Sequence, residues 1–453
     1  MAEDHSIPGP PDAGGDAFAG ATRPPLSTRK QACLSLYWFS VNAHWSAILI
    51  TLLPLQAEKM GGSQHKGTTL GAVLLLGALV SMVVAPLFGA WSDHVRSRWG
   101  RRKPFLVVGT AGNVLGLLAL SAIPSAPSAL VPYVIAFMWV ELFNNLATAP
   151  YAALIPDLVP REQRGSASGW MGLMTMLGTF LGGITGLVLK HIGGISGAYI
   201  GIAVIMALGM LGTVLTVSEP TPPALPPFRW KVFARGLIEP FHSRDFMWVF
   251  LTRFLVVLGT FTVQEYLQYF MKDVVAGGAS PYAYRFFGIP LADTAHAATS
   301  FFILALLAGA IVSSLWAGIF SDRYGRKRMV YLSGGLQALV VIVFILGVSF
   351  QAVVLMGLVF GLGYGAYQAV DWALASDVLP SEDDYAKDMG VWHIALTLPQ
   401  VTAAPIAGVL LDNFQAIGRT HGLPTLGYTV IFSLACVYFL LGAVLVSRIR
   451  SVR

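Results

Sequence analysis

The sequence predicts an all-α membrane protein with twelve transmembrane helices in two pseudo-symmetric six-helix bundles. Three observations predict it. Of 453 residues, 55% are hydrophobic and only 11% charged, too little polar surface to coat a water-soluble globule. The apolar residues gather in runs of about 20, the length that crosses a bilayer core of about 30 Å. And Gly89-Ala90-Trp91-Ser92-Asp93 followed by Gly100-Arg101-Arg102-Lys103 recurs in shorter form half a chain later. The second copy is Gly318-Ile319-Phe320-Ser321-Asp322 followed by Gly325-Arg326-Lys327-Arg328. Each copy joins the end of one apolar run to the start of the next, as two related halves require.

The first half places spans at about 34–56, 68–92, 104–124, 130–156, 166–190 and 195–218. The second places them at about 246–271, 295–320, 328–350, 352–378, 388–412 and 425–447. Residues 1–28, with Pro8, Pro10, Pro11, Pro24 and Pro25 and no apolar run, read as a disordered tail without a signal-peptide pattern. The N-terminal bundle then covers 29–218 and the C-terminal bundle 246–453. Between them a linker at 219–245 carries Pro220, Pro222, Pro223, Pro226 and Pro227, an extended tether, followed by an aromatic and basic stretch around Phe228 and Trp230.

Orientation follows from the basic residues, which short cytoplasmic loops retain. Arg96, Arg98, Arg101, Arg102 and Lys103 fill one loop; Arg323, Arg326, Lys327 and Arg328 fill its counterpart; Arg229, Lys231, Arg235 and Arg244 fall in the linker. Opposite loops carry Lys59, Lys66, Lys190, Lys272, Arg285 and Arg419. Both termini are therefore expected in the cytoplasm, the chain in the plasma or inner membrane. The net charge of +6 is spread over these loops and forms no nucleic-acid patch. Cys33 and Cys436 read as packing residues, outside any disulfide or metal pattern. No nucleotide loop, catalytic triad or metal-ligand spacing is present, so neither an enzyme nor a cofactor is expected, and transport must draw on a gradient.

The paired loop motifs resemble those of the major facilitator superfamily over essentially the whole chain after the tail. The first copy holds six residues between Asp93 and Gly100 where the second holds two between Asp322 and Gly325. That Arg-rich insertion, ending in RWGRRKP, resembles the glycoside/pentoside/hexuronide cation symporters and the related sucrose carriers. ELFNNLATAPYAALIPDL in the fourth span is similar to the sucrose carriers in its acidic residue, paired asparagines, proline and second acidic residue. The resemblance puts Glu141 in the place of the carboxylate that carries the coupling proton, followed by Asn144 and Asn145. The arginine those carriers place in the fifth span has no counterpart between Arg164 and Lys190. The superfamily fold further implies that spans 1, 4, 7 and 10 line a central cavity.

Ionisable residues deep in a membrane are costly and mark pathways unless neutralised. Glu141, Glu265 and Asp371 are the candidates for proton coupling. Arg253 and Asp371 lie about 10 Å from the cytoplasmic ends of their spans, at 1.5 Å per residue, where they either pair or leave Arg253 to snorkel to the interface. Asn42, His44 and Trp45 on the first span, Gln264, Tyr266 and Gln268 on the seventh, and Tyr367, Gln368 and Trp372 on the tenth offer amides and flat rings. With Asn144, Asn145 and Arg253 they form the candidate substrate set, suited to a neutral hydroxylated ligand or, alternatively, to packing between helices. Gly89, Asp93, Arg101, Arg102, Gly318, Asp322 and Arg326 make up a candidate conformational latch, in which Asp93 accepts hydrogen bonds from a neighbouring helix or from Arg side chains.

The expected function is proton-coupled symport of a sugar or glycoside by a monomer in the lipid bilayer, with sodium as an alternative ion. Export of amphipathic or drug-like compounds is the second reading. An uncoupled sensor or lipid scramblase is the third.

Overall fold

The computed structural model describes residues 25–95, 97–160, 163–219, 239–277, 284–347, 349–378 and 385–450, with some side chains inside these ranges left undescribed. The predicted tail before residue 25 and most of the linker, 220–238, lie outside the described residues. Among the described residues, eleven helical runs are long and apolar enough to span a membrane. The first, Thr28–Ser92, has 65 residues and would measure about 98 Å if straight, three bilayer cores. It is not straight. Gly62 has φ 72° and ψ 166°, and His65 also leaves helical geometry. A Cβ on Gly61 would stand 2.0 Å from Thr69 Oγ1, a contact between residues eight apart that only a chain doubling back can make. Divided there, the eleven runs fit the predicted twelve.

In chain order the helices are α1 (Thr28–Ala47), α2 (Leu53–His94), α3 (Lys103–Ala122), α4 (Leu130–Ala152), α5 (Leu154–Leu158), α6 (Arg164–Gly183), α7 (Thr185–Val188) and α8 (Gly194–Thr216). The second half continues with α9 (Arg244–Phe270), α10 (Ala295–Tyr324), α11 (Arg326–Ile345), α12 (Phe350–Val378), α13 (Tyr385–Thr420) and α14 (Leu426–Leu445). Five-residue π turns, Ile48–Leu52 and Met271–Val275, follow α1 and α9. A hairpin of β1 (Tyr284–Phe286) and β2 (Ile289–Ala292) precedes α10.

Side-chain hydroxyls cap the start of four helices among the described residues: Ser27 accepts from the Lys30 N–H, Ser243 from Phe246, Thr294 from Ala297 and Ser349 from Ala352. Helices α2 and α10 run through the Ser-Asp of both signature motifs, past the predicted span ends. The second stops where Gly325 turns to φ 94° and the first loop turns at Gly100, φ 99°, a left-handed conformation costly for any residue with a Cβ. The repeated sequence therefore builds a repeated turn. The fifth predicted span, 166–190, is interrupted: Ile184, with ψ −3°, separates α6 from α7.

Small residues set the packing. Gly357, Gly361 and Gly365, four apart on one face of α12, bring that backbone against Phe302, Leu306 and Ala310 of α10; a Cβ on Gly361 would lie 2.0 Å from the Leu306 carbonyl oxygen. Other helix faces turn outward towards lipid, as at Leu215 of α8, 79% exposed, and Val131 of α4, 67% exposed, while Tyr37, Tyr133, Tyr199, Phe246 and Phe432 are buried in the bundles.

The halves meet at the end opposite the basic loops. Lys66 pairs with Asp273, Lys272 with Glu58 at 2.7 Å, and exposed Lys190 with Asp293. Tyr269 Oη donates to the Pro54 carbonyl at 2.9 Å, and Tyr266 Oη to the Gly67 carbonyl at 3.3 Å. Asp412 accepts from the backbone N–H groups of Gly67 and Thr68. That end of the molecule is closed.

Candidate functional site

Beneath this closure lies a cavity of about 220 Å³ between the halves. Asn42, Trp45 and Ser46 of α1, with Leu49 and Ile50 of the π turn, line one side and Thr179 of α6 adjoins them; Phe261, Gln264 and Glu265 of α9 line the other. Spacings of three and four put Asn42, Trp45, Ser46 and Leu49 on one helical face. The same rule applied to Asn42 could have found Ser46, which sequence reasoning missed. Thr179 and Phe261 carried no signal that set them apart from the other threonines and phenylalanines of the chain. The wall is mixed, with an indole and a phenyl ring beside amide, hydroxyl and carboxylate oxygens. Among the described residues it contains no Lys or Arg.

Of the three predicted coupling carboxylates, Glu265 faces this cavity. The residue is 4% exposed, and its Oε2 has no hydrogen-bond partner. Glu141 faces elsewhere, towards α2. Ser81 Oγ donates to Glu141 Oε2 at 2.6 Å and itself receives a hydrogen bond from Asn145 Nδ2 at 2.8 Å, so amide, hydroxyl and carboxylate form one directed chain. Gly77 leaves the room that Glu141 occupies, since a Cβ there would lie 3.0 Å from Glu141 Cγ. Asp371 is bound to Arg253, and both side chains are at most 5% exposed. The Arg253 guanidinium lies 3.5 Å from the centre of the Trp392 ring, so the arginine points into the C-terminal bundle and does not snorkel. Such burial is tolerable because the pair neutralises itself and the ring supplies a negative face. Trp392, on α13, was not anticipated.

The other predicted contacts divide. Asn42, Trp45 and Gln264 line the cavity. His44 is completely buried with both ring nitrogens unpartnered, its ring edge-on to Trp45 at 4.5 Å. It stands seven residues from Tyr37, roughly two turns along the face that meets Thr110 inside the N-terminal bundle. Tyr266 is committed to the closure, its hydroxyl bonded to the Ala404 and Gly67 carbonyls. Gln268 and Asn144 are buried, each with its amide oxygen unpartnered. Tyr367 is buried and Gln368 exposed, the latter donating to Tyr364 Oη at 3.0 Å. The side chain of Trp372 lies outside those described.

Around the first basic loop, Arg101 and Arg102 both clasp Asp157 of α5, Arg101 Nη2 at 2.6 Å and Arg102 Nε at 3.1 Å. Arg102 also bonds to Ser92 Oγ and, at 3.5 Å, to the Gly89 carbonyl. Glu219, just past α8, accepts the backbone N–H groups of Arg101, Arg102 and Lys103 at 2.9, 2.8 and 2.8 Å, closing the start of α3. Burial raises the Glu219 carboxyl above its ordinary range, against the opposing pull of these amides. Gly100 is needed here twice, for its φ and because a Cβ would stand 2.4 Å from that of Glu219. In the second copy Arg326 opens α11, and Lys327 Nζ donates to the Ile449 backbone carbonyl at 2.6 Å. Gly318 lies within α10; the side chains of Asp93 and Asp322, on which the latch idea rests, are outside those described. Sequence reasoning missed Glu219, which reads as the first residue of a linker until the fold brings it to α3. It also missed Asp412 and the Lys66–Asp273 and Lys272–Glu58 pairs.

Comparison with known proteins gives this geometry its context. The profile of the family described as MFS/sugar transport protein matches residues 64–447. The sucrose transport protein SUC4 of Arabidopsis thaliana is 29% identical over 156 residues, 31% of this chain and 30% of that protein. The chain thus aligns with less than a third of that relative's length. The multi-drug resistance efflux pump PmrA of Streptococcus pneumoniae is 24% identical over 370 residues, 77% of this chain and 81% of the pump. In three dimensions the peptide transporter POT, crystallised in complex with sulfate, superposes with a TM-score of 0.67 at 17% identity, covering 97% of each chain. That likeness shows the fold.

Proposed function

Since this chain belongs to the MFS/sugar transport protein family, we propose that it is a proton-coupled symporter of a sugar or glycoside, working by alternating access of its two halves. It is a multi-pass membrane transporter. The observation that carries the sugar reading is the wall of the interhalf cavity. Trp45 and Phe261 offer flat apolar faces, and Asn42, Ser46, Thr179 and Gln264 offer hydrogen-bonding groups. A pyranose needs both, since its C–H faces stack on rings while its hydroxyls pair with amides. The partial match to a sucrose carrier supports the same class.

In this reading the end closed by Lys66, Asp273, Glu58, Lys272 and Asp412 is the outer one, both termini lie in the cytoplasm, and the molecule opens inward. The proton is carried among Glu141, Glu265 and Asp371. The Arg101, Arg102, Asp157 and Glu219 cluster supplies the rigid inner collar of the N-terminal bundle, against which the latch residues Asp93 and Asp322 act.

Export of amphipathic or drug-like compounds is the second reading, favoured by the longer alignment to the efflux pump. Proteoliposomes separate the two. Uptake of radiolabelled sugars that rises several-fold under an inward proton gradient and collapses with a protonophore is the expected result. Extrusion of hydrophobic cations with no sugar uptake would establish the exporter. Gradient-independent lipid flipping would point to a scramblase.

A further inference from the structure

The β1–β2 hairpin at the closed end carries apolar side chains that the bundles leave uncovered. Its base is fixed: Tyr284 is buried, donates from Oη to the Met271 carbonyl at 3.0 Å and meets the Phe350 ring at 5.3 Å. Its tip stands out, with Phe287 70% and Ile289 63% exposed. Phe286 pairs with Ile289 across the strands, so Phe287 and Gly288 form a two-residue turn, with φ of 46° and 84°. Positive φ at both turn positions suits Asn-Gly or Asp-Gly, whereas a bulky side chain there is strained. Among the described residues, Phe287 is the one non-glycine with positive φ. Neither the turn nor the core gives a reason for its ring.

The surroundings of the tip supply one. The Phe287 N–H donates to Gln351 Oε1 at 3.3 Å, which holds the tip over the first turn of α12. Gln351, Leu355 and Leu358 share one face of that helix by their spacings of four and three, and both leucines are exposed to lipid. Leu339 and Ile342 of α11, with Leu346 just past its end, make a second exposed apolar stripe that reaches the same level. The tip thus continues two lipid-facing surfaces at the edge of the bilayer. Arg285, opposite Pro290 in the hairpin, is exposed as well.

We infer that this hairpin is a membrane-interface anchor: Phe287 and Ile289 enter the lipid leaflet on the closed side, and Arg285 lies at the level of its phosphate groups. Aromatic rings favour the headgroup boundary, and a cation beside an apolar tip matches the anionic phosphates above the acyl chains. Tyr284 ties the anchor to Met271, the neighbour of Lys272, which pairs with Glu58 of the other half. Lipid contact and the C-terminal side of the closure therefore share one rigid base.

The test uses the full-length chain lacking Cys33 and Cys436, with single cysteines carrying an environment-sensitive fluorophore, reconstituted in phosphatidylcholine vesicles. Quenching by lipid bearing a nitroxide near the glycerol end of its acyl chain reports contact with the leaflet, and quenching by iodide reports contact with water. Both quenchers are present on both sides, so the result does not depend on the orientation of the chain. A label at Phe287→Cys should be quenched by the nitroxide lipid as strongly as one at lipid-facing Leu346→Cys. It should be several-fold less open to iodide than one at Arg419→Cys, an exposed position at the end of α13. Ile289→Cys leaves the turn residues in place and reads the same contact if labelling at 287 opens the hairpin. Phe287→Asn keeps the left-handed turn and removes the ring, so it should raise iodide quenching of the label at 289 several-fold. Labels at both positions as open to iodide as at Arg419 would overturn the inference. Labels shielded from both quenchers would overturn it too, assigning the tip to a protein contact, and no response at 289 to Phe287→Asn would remove the ring from the anchor.

Discussion

Asp412 Oδ2 accepts the backbone N–H of Thr68 at 2.6 Å, while Oδ1 accepts that of Gly67 at 3.1 Å. A carboxylate at the far end of one half thus caps the helix that starts after the Gly62 break in the other half, where unpaired N–H groups and the positive end of the helix dipole concentrate. Gly67 and Gly408 permit the approach: a Cβ on Gly408 would lie 2.2 Å from the Gly67 carbonyl oxygen.

Asp412→Asn keeps the shape and removes the charge. The cap contributes about 1 kcal/mol, so the closed arrangement should lose about a fivefold share of the population. A Ser46→Cys probe in a chain lacking Cys33 and Cys436 reads this as faster labelling by a membrane-impermeant thiol reagent applied from the closed side. An unchanged labelling rate would show that the cap does not hold the halves together.

The Arg253–Asp371 pair makes an asymmetric prediction. Arg253→Met alone strands a buried carboxylate and should destabilise the protein by about 3–5 kcal/mol, whereas Arg253→Met with Asp371→Leu should recover most of the loss. Melting curves of the two proteins give the comparison. A double variant as unstable as the single one would mean that the Trp392 contact, and not charge compensation, is the main support.

Glu219→Gln replaces one of two acceptor oxygens with a donor facing backbone N–H groups and should cost about 1–2 kcal/mol at neutral pH. The pH dependence has a definite sign. Because burial raises the folded-state value above the ordinary 4.5, the folded chain holds this proton longer than the unfolded one. The group's contribution to stability therefore declines as pH rises from that ordinary value through the raised one. Wild type should show this decline and Glu219→Gln should lack it; parallel stability–pH curves would refute the assignment.

If Glu141 carries the coupling proton, Glu141→Gln abolishes gradient-driven accumulation while substrate binding and exchange survive, because exchange moves no net charge. The hydrogen bond from Ser81 makes the comparison sharp, since Gln offers the same oxygen to that hydroxyl. Accumulation by the variant at wild-type levels would transfer the role to Glu265, the carboxylate that faces the cavity.

The sequence by itself determined the membrane class, the two-half organisation and the place of the signature turns. Each of these rests on local chemistry: an apolar run must be about 20 residues long wherever it packs, and Gly100 and Gly325 adopt positive φ because the residues beside them demand a tight turn. It also identified the residues that carry charge into the membrane. Only the tertiary structure decided what those charges face. Glu141, Glu265 and Asp371 look alike in sequence, each an acid in an apolar helix. Yet one meets the Ser81 hydroxyl, one an open cavity, and one the Arg253 guanidinium. Which side of a helix faces lipid, a neighbour or the cavity is set by rotation about the helix axis, and helices apolar on nearly every side encode that rotation only weakly. The closure is non-local for the same reason. Asp412 and Thr68 are 344 residues apart, and no periodicity in the sequence signals that a carboxylate will cap a helix of the other half.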